Sequence, residues 1–395
     1  MESQPVVIGL VGAGFAASFH LENYKRVPGV TVRVKGVTSK NPEKARAFAE
    51  THGLECTYES FDDLLADPEI TVVDLCAPNY LHHVLTVQAA SAGKHIICEK
   101  PLTASFRDGG SLSRGEMFEE ALASADDMVR AVRDHGVKFC YAENWIYAPS
   151  IQKANRILGE SDNTILRVVA EESHSGTHSP YAKEWRYGGG GSLFNKGCHP
   201  VGGTLYLKYA EGRRKRGRAI KPKSVMAQVA NLTKMGDFER EEEKWIQTGW
   251  KDCEDWGSMF LTFEDDSVAQ ITASDMVLGG IQNSLTVYSS KVVLQCNLIP
   301  NTSMMTYAPE DRIMGDAYIR EKVETRAGWQ FSNPDEDWIN GFPHELQDFC
   351  EALAYDRSPV SDIELARDIV AVCYGAYVSA ETGRAFDLSD WMEAG

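Results

Sequence analysis

The stretch PVVIGLVGAGFAASFHLENYKRV, residues 5–27, decides the fold of the N-terminal part. A β-branched apolar run ends at a glycine turn, and helical spacing follows at once. Gly12, Gly14 and Ala17 form G-x-G-x-x-A. Gly12 permits the tight turn, Gly14 lets a pyrophosphate approach the backbone, and Ala17 keeps helix and strand close. The phosphates then sit at a helix N-terminus, beside Phe15 and Ala16.

More such units follow. Residues 30–39, VTVRVKGVTS, read as a second strand. Residues 41–53, NPEKARAFAETHG, read as a helix with an Asn cap and Pro in its first turn. ITVVDLCAP (70–78) and KHIICEKP (94–101) read as buried strands around a helix over 79–93. This β-α alternation implies a parallel sheet with right-handed crossovers. The second strand ends in Thr38, Ser39 and Lys40, with Lys44 one turn on. No carboxylate stands there to repel a 2′-phosphate, so Ser39, Lys40 and Lys44 are candidates to hold NADP as well as NAD.

A chain of 395 residues has room for two domains, each with its own core. The net charge of −17 argues against a general nucleic-acid binder and against an anionic membrane surface. No run of about 18 apolar residues predicts a membrane span. The start MESQPVVIGLVGAG carries no basic segment or small-residue cleavage site, so no signal peptide is expected. The nine cysteines are scattered, without a C-x-x-C pair. Reduced thiols in a cytoplasm fit that pattern, and a zinc site does not. His174 and His178 stand four apart, but no third ligand has suitable spacing, so no metal is expected.

Four ordered motifs carry a resemblance across nearly the whole chain. They are the opening G-x-G-x-x-A; P-N-x-x-H at Pro78, Asn79 and His82; E-K-P at Glu99, Lys100 and Pro101; and a glycine run, 188–191, followed by G-x-H at Gly197 and His199. Together they resemble the glucose–fructose oxidoreductase, inositol dehydrogenase and rhizopine catabolism (Gfo/Idh/MocA) family. The resemblance implies an α/β protein: an N-terminal Rossmann domain, 1–143, and a C-terminal α/β domain, 144–395, with a large, mostly antiparallel sheet. One face of that sheet covers the nicotinamide in the family, and the other often joins subunits, so a homodimer or homotetramer is expected. By position, Lys100 lies beside the nicotinamide ribose and the substrate hydroxyl, and His199 is the family's catalytic histidine. Pro78, Asn79, His82, Glu99 and Lys100 are expected at the cofactor.

The residues support those roles on their own terms. Lys100 follows an apolar strand at the sheet's C-terminal edge, where α/β proteins bind ligands. Partial desolvation there suits an amine to proton exchange. An imidazole such as His199 titrates near working pH. Asn195 stands where the family has Asp, and the spacing of 195 and 199 predicts one shared helix face. That departure makes Asn195 and Lys196 candidates to bind substrate. Glu143, in the crossover YAENWIYAPS (141–150), is another. Lys183 and Arg186 are candidates to bind an acidic group, with Trp185 stacking on a sugar. The basic stretch 211–224 and the aromatic-rich stretch 327–342 read as loops.

The expected activity is oxidoreduction of a secondary hydroxyl of a sugar, glycoside or cyclitol with NAD or NADP. The alternative is an NAD-dependent glycoside hydrolase with tightly bound NAD. It would work by transient oxidation, elimination, water addition and re-reduction, with an acidic or sulfonated sugar as a candidate substrate.

Overall fold

The computed structural model describes residues 4–177, 179–299 and 304–392. His178 lies outside the described residues. The chain forms two compact units. The first takes Met1–Ala104, Glu119–Asn144 and Phe342–Val370; the second takes Ser105–Phe118, Trp145–Gly341 and Ala371–Gly395. The division is therefore not a single cut at 143/144. The stretch after the E-K-P motif leaves early, and the segment from Phe342 returns. Its return is a long-range packing event: Phe342 sets its ring edge-on to Phe19 at 4.3 Å, and Gln4 N–H donates to the Ala354 carbonyl.

In the first unit, strands β1 (Val6–Val11), β2 (Val32–Thr38), β3 (Cys56–Thr57), β4 (Val72–Leu75), β5 (His95–Glu99) and β6 (Phe139–Ala142) form one sheet. Its order is β3-β2-β1-β4-β5-β6, and every pair is parallel. Ile8, Leu10, Val37, Val73, Ile96 and Ile97 are fully buried, as a sheet covered on both faces requires. The order reverses between β1 and β4, which is where doubly wound sheets open a crevice at the strands' carboxyl ends. Those ends carry Gly12, Cys76, Lys100 and Glu143.

The second unit holds β7 (Ile165–Ser175), β8 (Pro222–Ala230), β9 (Trp256–Phe263), β10 (Val268–Ser274), β11 (Met276–Ser289) and β12 (Val293–Asn297). A separate antiparallel pair joins β13 (Met305–Ala308) to β14 (Gly328–Phe331). With β15 (Phe386–Asp387) the large sheet runs β12-β11-β7-β10-β9-β8-β15. Only β7 and β10 pair in parallel. Val168, Ala170, Met259, Leu261, Ile271, Leu285 and Val287 alternate inward. The helix Cys198–Arg216 packs against β7.

Two loops expected from the sequence are partly regular. Residues 211–216 are the last turns of the helix Cys198–Arg216, whose Arg213, Arg214, Lys215 and Arg216 meet the negative end of the helix dipole. Gly217, at φ +71°, ends it. The stretch 327–342 contains β14 and the short helix Glu336–Ile339.

Candidate functional site

In the first unit, Gly12 has φ +114°, and a Cβ there would stand 2.6 Å from the Cys76 carbonyl oxygen. Its N–H donates to the Thr38 carbonyl at 2.8 Å. Glycine is required twice over, by backbone angle and by the close pass of the next strand. Gly14 is different: it caps the helix Phe15–Tyr24, and a Cβ there would meet nothing within 4 Å. Ala17 is fully buried, so the helix lies close on the sheet. Open space at Gly14, ahead of the backbone N–H groups of a helix start, is a cradle that fits a pyrophosphate. Phe15 is 73% exposed and stacks on Phe19. Beyond β2, Ser39 is half-buried while Lys40 and Lys44 are exposed. Asn41 Oδ1 accepts from the N–H groups of Glu43 and Lys44, as its capping position predicts.

Asn79 is buried and Pro78 half-buried. His82 is 1% exposed, with its ring nitrogens 3.0 and 2.9 Å from the Pro101 and Ala77 carbonyl oxygens. Burial holds its pKa below the usual imidazole value. His82 ties the loop after β4 to the E-K-P loop.

Lys100 is half-buried where β5 ends, and its peptide bond to Pro101 is cis. Its backbone N–H donates to Glu99 Oε2 at 3.0 Å. Glu99 Oε1 lies 3.1 Å from His20 Nε2, and His20 Nδ1 lies 2.9 Å from Asp74 Oδ2. The Tyr24 hydroxyl donates to the same Asp74 oxygen at 2.7 Å. Burial works against charge on His20, but Asp74 outweighs it and raises the imidazole well above its usual pKa. Burial likewise opposes the Glu99 charge, yet His20 and then Lys100 hold that carboxyl below its usual range. Glu345, 1% exposed, goes the other way: burial, with Glu99, Glu143 and Asp74 nearby, outweighs His20 and raises its carboxyl well above the usual range. Glu143 is itself fully buried after β6. His20, Asp74 and Cys76 each bring one ligand atom within 4.8 Å of the others. Both His20 nitrogens face carboxylates, however, which is the setting of an imidazolium and not of a metal ligand.

In the second unit the glycine run is fully buried. A Cβ on Gly190 would stand 2.6 Å from the Tyr377 hydroxyl, and one on Gly191 2.1 Å from the Glu254 carbonyl oxygen. The run is a packed seam. Two helical pieces follow, Ser192–Asn195 and Cys198–Arg216, broken at 196–197. Asn195 and His199 therefore do not share one helix face. The Asn195 amide turns back to the Gly190 and Gly191 carbonyls, at 2.7 and 3.2 Å. His199, 6% exposed, stacks on Trp145 with the rings 13° from parallel. Lys196 Nζ lies 3.6 Å from Asp275 Oδ1, and Asp275 Oδ2 accepts from the Ser192 hydroxyl at 2.7 Å.

The expected anion clamp is otherwise engaged. Lys183 donates to the Thr248 carbonyl at 2.6 Å and faces Trp250. Arg186 pairs with Glu184 at 3.0 Å. Trp185 is fully buried: its indole N–H donates to the Ser105 carbonyl, and Arg114 stacks on its ring at 3.9 Å. It packs the core and offers no face to a sugar.

Sequence reasoning missed a polar cluster next to Lys196. Lys322, at φ +57°, places Nζ 2.5 Å from His174 Nδ1, and His174 Nε2 lies 3.0 Å from Glu172 Oε1. Burial, then Lys196, pushes Lys322 down to about 7. A cavity of about 220 Å³ lies here, lined by Ser175, Thr177, Gln247, Lys322, Val323 and Glu324. The polar break at the end of ITASDM was the available signal, since Asp275 interrupts an otherwise regular alternation.

The fold and the open glycine turn define a Rossmann dinucleotide-binding unit. Residues 6–142 match the model of the oxidoreductase family with an NAD-binding Rossmann fold, Gfo/Idh/MocA. The match covers the N-terminal Rossmann part of the chain. The chain is 24% identical to YrbE, an uncharacterized oxidoreductase of Bacillus subtilis, over 73% of each chain. It is 31% identical to levoglucosan dehydrogenase of Pseudarthrobacter phenanthrenivorans over 52% of this chain, and spans 51% of that relative. The solved structure of GenD2 from gentamicin A biosynthesis, in complex with NAD, shares the fold. Its TM-score is 0.78 at 20% identity, covering 98% of this chain and 97% of that one. Among the described residues, no helix is long and apolar enough to cross a membrane.

Proposed function

We propose that this protein is an NAD(P)-dependent dehydrogenase of a secondary hydroxyl on a neutral sugar, glycoside or cyclitol. One observation carries the reading. Lys100 sits at the carboxyl end of β5, anchored to the ionised Glu99, on the same sheet edge as the open Gly14 turn. Gly12, Gly14, Phe15, Ala16, Asn79 and Glu99 would hold the dinucleotide. A bound nicotinamide supplies the hydride acceptor. Lys100 takes the hydroxyl proton; His199, by its place in the G-x-H motif, and Lys196 remain the second unit's candidates for proton transfer and substrate binding. The exposed Lys40 and Lys44, with no carboxylate ending β2, support acceptance of NADP beside NAD. The bonds that occupy Lys183 and Arg186 remove the reason to expect an acidic or sulfonated substrate. The relative named for levoglucosan supports a sugar-type substrate.

The test is to mix the protein with NAD or NADP and a panel of sugars, cyclitols and aryl glycosides. Reduced nicotinamide and released phenol are followed together. Stoichiometric reduction is expected, and K100A should lower it by about 10²–10⁴-fold. Full activity in K100A would sink the site. Phenol release without net reduction would replace the dehydrogenase by the redox-assisted hydrolase.

The same reading includes a homo-oligomer joined through the large sheet. Met226, Phe260 and Tyr288 are exposed on it, and Met226 and Phe260 are cross-strand partners. An F260E variant should sediment as a smaller species than the parent, and an unchanged sedimentation coefficient would refute that interface.

A further inference from the structure

His20 has no place in the roles above, yet it is among the most constrained side chains of the first unit. It is 1% exposed and both of its ring nitrogens meet carboxylates, Asp74 of β4 and Glu99 of β5. A neutral imidazole has one N–H to offer; two carboxylates at 2.9 and 3.1 Å call for the imidazolium. The other titratable groups around it are Tyr24 on its own helix, Cys76 and Cys98 beside β4 and β5, and Glu345 on the helix Phe342–Ala354. Burial pushes the Cys76 thiol up to about 12 and raises Glu345 well above its usual range, so it disfavours the charged form of both. The groups linked in sequence are thus Asp74, His20, Glu99 and Lys100.

We propose that His20 is a positioning residue for Lys100: clasped by Asp74, it fixes Glu99 as a carboxylate against Lys100 and so sets the proton affinity of the lysine amine. The link is physical at each step. Glu99 gives one oxygen to His20 and the other to the Lys100 backbone N–H, which fixes where the carboxylate sits. Without the imidazolium, Glu99 would lose the partner that holds it ionised against burial, and it would take up a proton more readily. A neutral Glu99 no longer favours the ammonium, and the lysine then loses its proton at lower pH. The inference rests on the reading of Lys100 as the group that handles the substrate proton.

The test reads Lys100 directly and needs no substrate. The full-length protein, with and without NAD, is labelled with trace acetic anhydride across a pH series, and the Lys100 peptide is quantified by mass spectrometry. H20Q and E99Q should each lower the labelling midpoint of Lys100 by about one pH unit. The H20Q/E99Q double variant should fall no further than either single one, because both act through the same carboxylate. An unmoved midpoint in either single variant, or shifts that simply add, would overturn the proposal; a purely structural role for His20 predicts the unmoved midpoint. If H20Q does not fold, ¹⁵N-histidine spectra of the parent protein decide: His20 should be an imidazolium at pH 7.5, and a neutral ring refutes the coupling. The two readings fail separately. Activity retained in K100A removes the catalytic role and leaves the coupling, whereas an inactive K100A with an unresponsive midpoint removes only the coupling.

Discussion

The two glycine-rich turns of this protein use the same residue for opposite ends. At Gly14 the missing side chain leaves open space, and among the described residues no atom comes within 4 Å of it. At Gly190 and Gly191 the missing side chains let the backbone close against Tyr377 and Glu254. The first turn leaves room beside a helix N-terminus. The second is a joint, and its glycines are chosen for contact and not for freedom. Substitutions at the two turns should therefore separate folding from binding. The largest expected effect is at Gly191. A methyl group there would stand 2.1 Å from a carbonyl oxygen that accepts the Ser192 N–H. Relief must move backbone, not a flexible side-chain end, so G191A should cost on the order of 4 kcal/mol or leave no folded protein. Denaturant unfolding measures it; a loss below about 1 kcal/mol would mean that the seam is loose after all.

The contrast also shows what was readable in advance. The turn at Gly12–Gly14 was legible because its neighbours are local: a strand, a turn and a helix within twenty-odd residues define its geometry. Lys100 was legible in the same way, as the residue after an apolar strand. The second glycine run was not. The atoms that fill it come from Glu254 and Tyr377, 63 and 186 positions beyond Gly191. Asn195 and His199 misled for a related reason. Their spacing fits a helix, but Gly197 packs where a Cβ would stand 2.0 Å from the Leu193 carbonyl oxygen, and the helix breaks there. Trp185, Lys183 and Arg186 looked like a binding surface, since their partners lie on segments distant in sequence. The same distance hid Asp275, Lys322 and His174.

The seam carries a second signature, intermediate in size. Glu254 accepts from the Tyr377 hydroxyl at 2.8 Å and from the Leu193 N–H at 2.9 Å. Burial still outweighs both bonds and pushes its carboxyl up to about 7 from an ordinary 4.5. The native state therefore keeps a proton that the unfolded chain has lost. Stability contributed by that proton is present below pH 4.5, declines as the pH rises to 7, and is gone above it, a swing of up to about 3 kcal/mol. E254Q keeps the shape and cannot ionise. Its stability relative to the parent should rise through that window and level off above pH 7. Parallel pH curves for the two proteins, from thermal or denaturant melts, would show that Glu254 ionises freely in the fold.

The smallest effect on stability belongs to Gly14, and it is the one that ties the comparison to function. Gly14 has φ −113°, an angle that alanine adopts without strain, and its Cβ would touch nothing. G14A should unfold within about 0.5 kcal/mol of the parent. The methyl group would nevertheless stand in the space where a pyrophosphate must approach the backbone, and its binding N–H groups belong to the helix that starts beside it. NADH affinity, followed by fluorescence titration, should therefore fall about tenfold or more, equivalent to about 1.4 kcal/mol. A G14A protein that binds NADH as tightly as the parent would mean that the dinucleotide does not cross this turn. One that loses stability instead would mean that the open space is filled by the protein itself, and the two glycine turns would then be the same kind of joint.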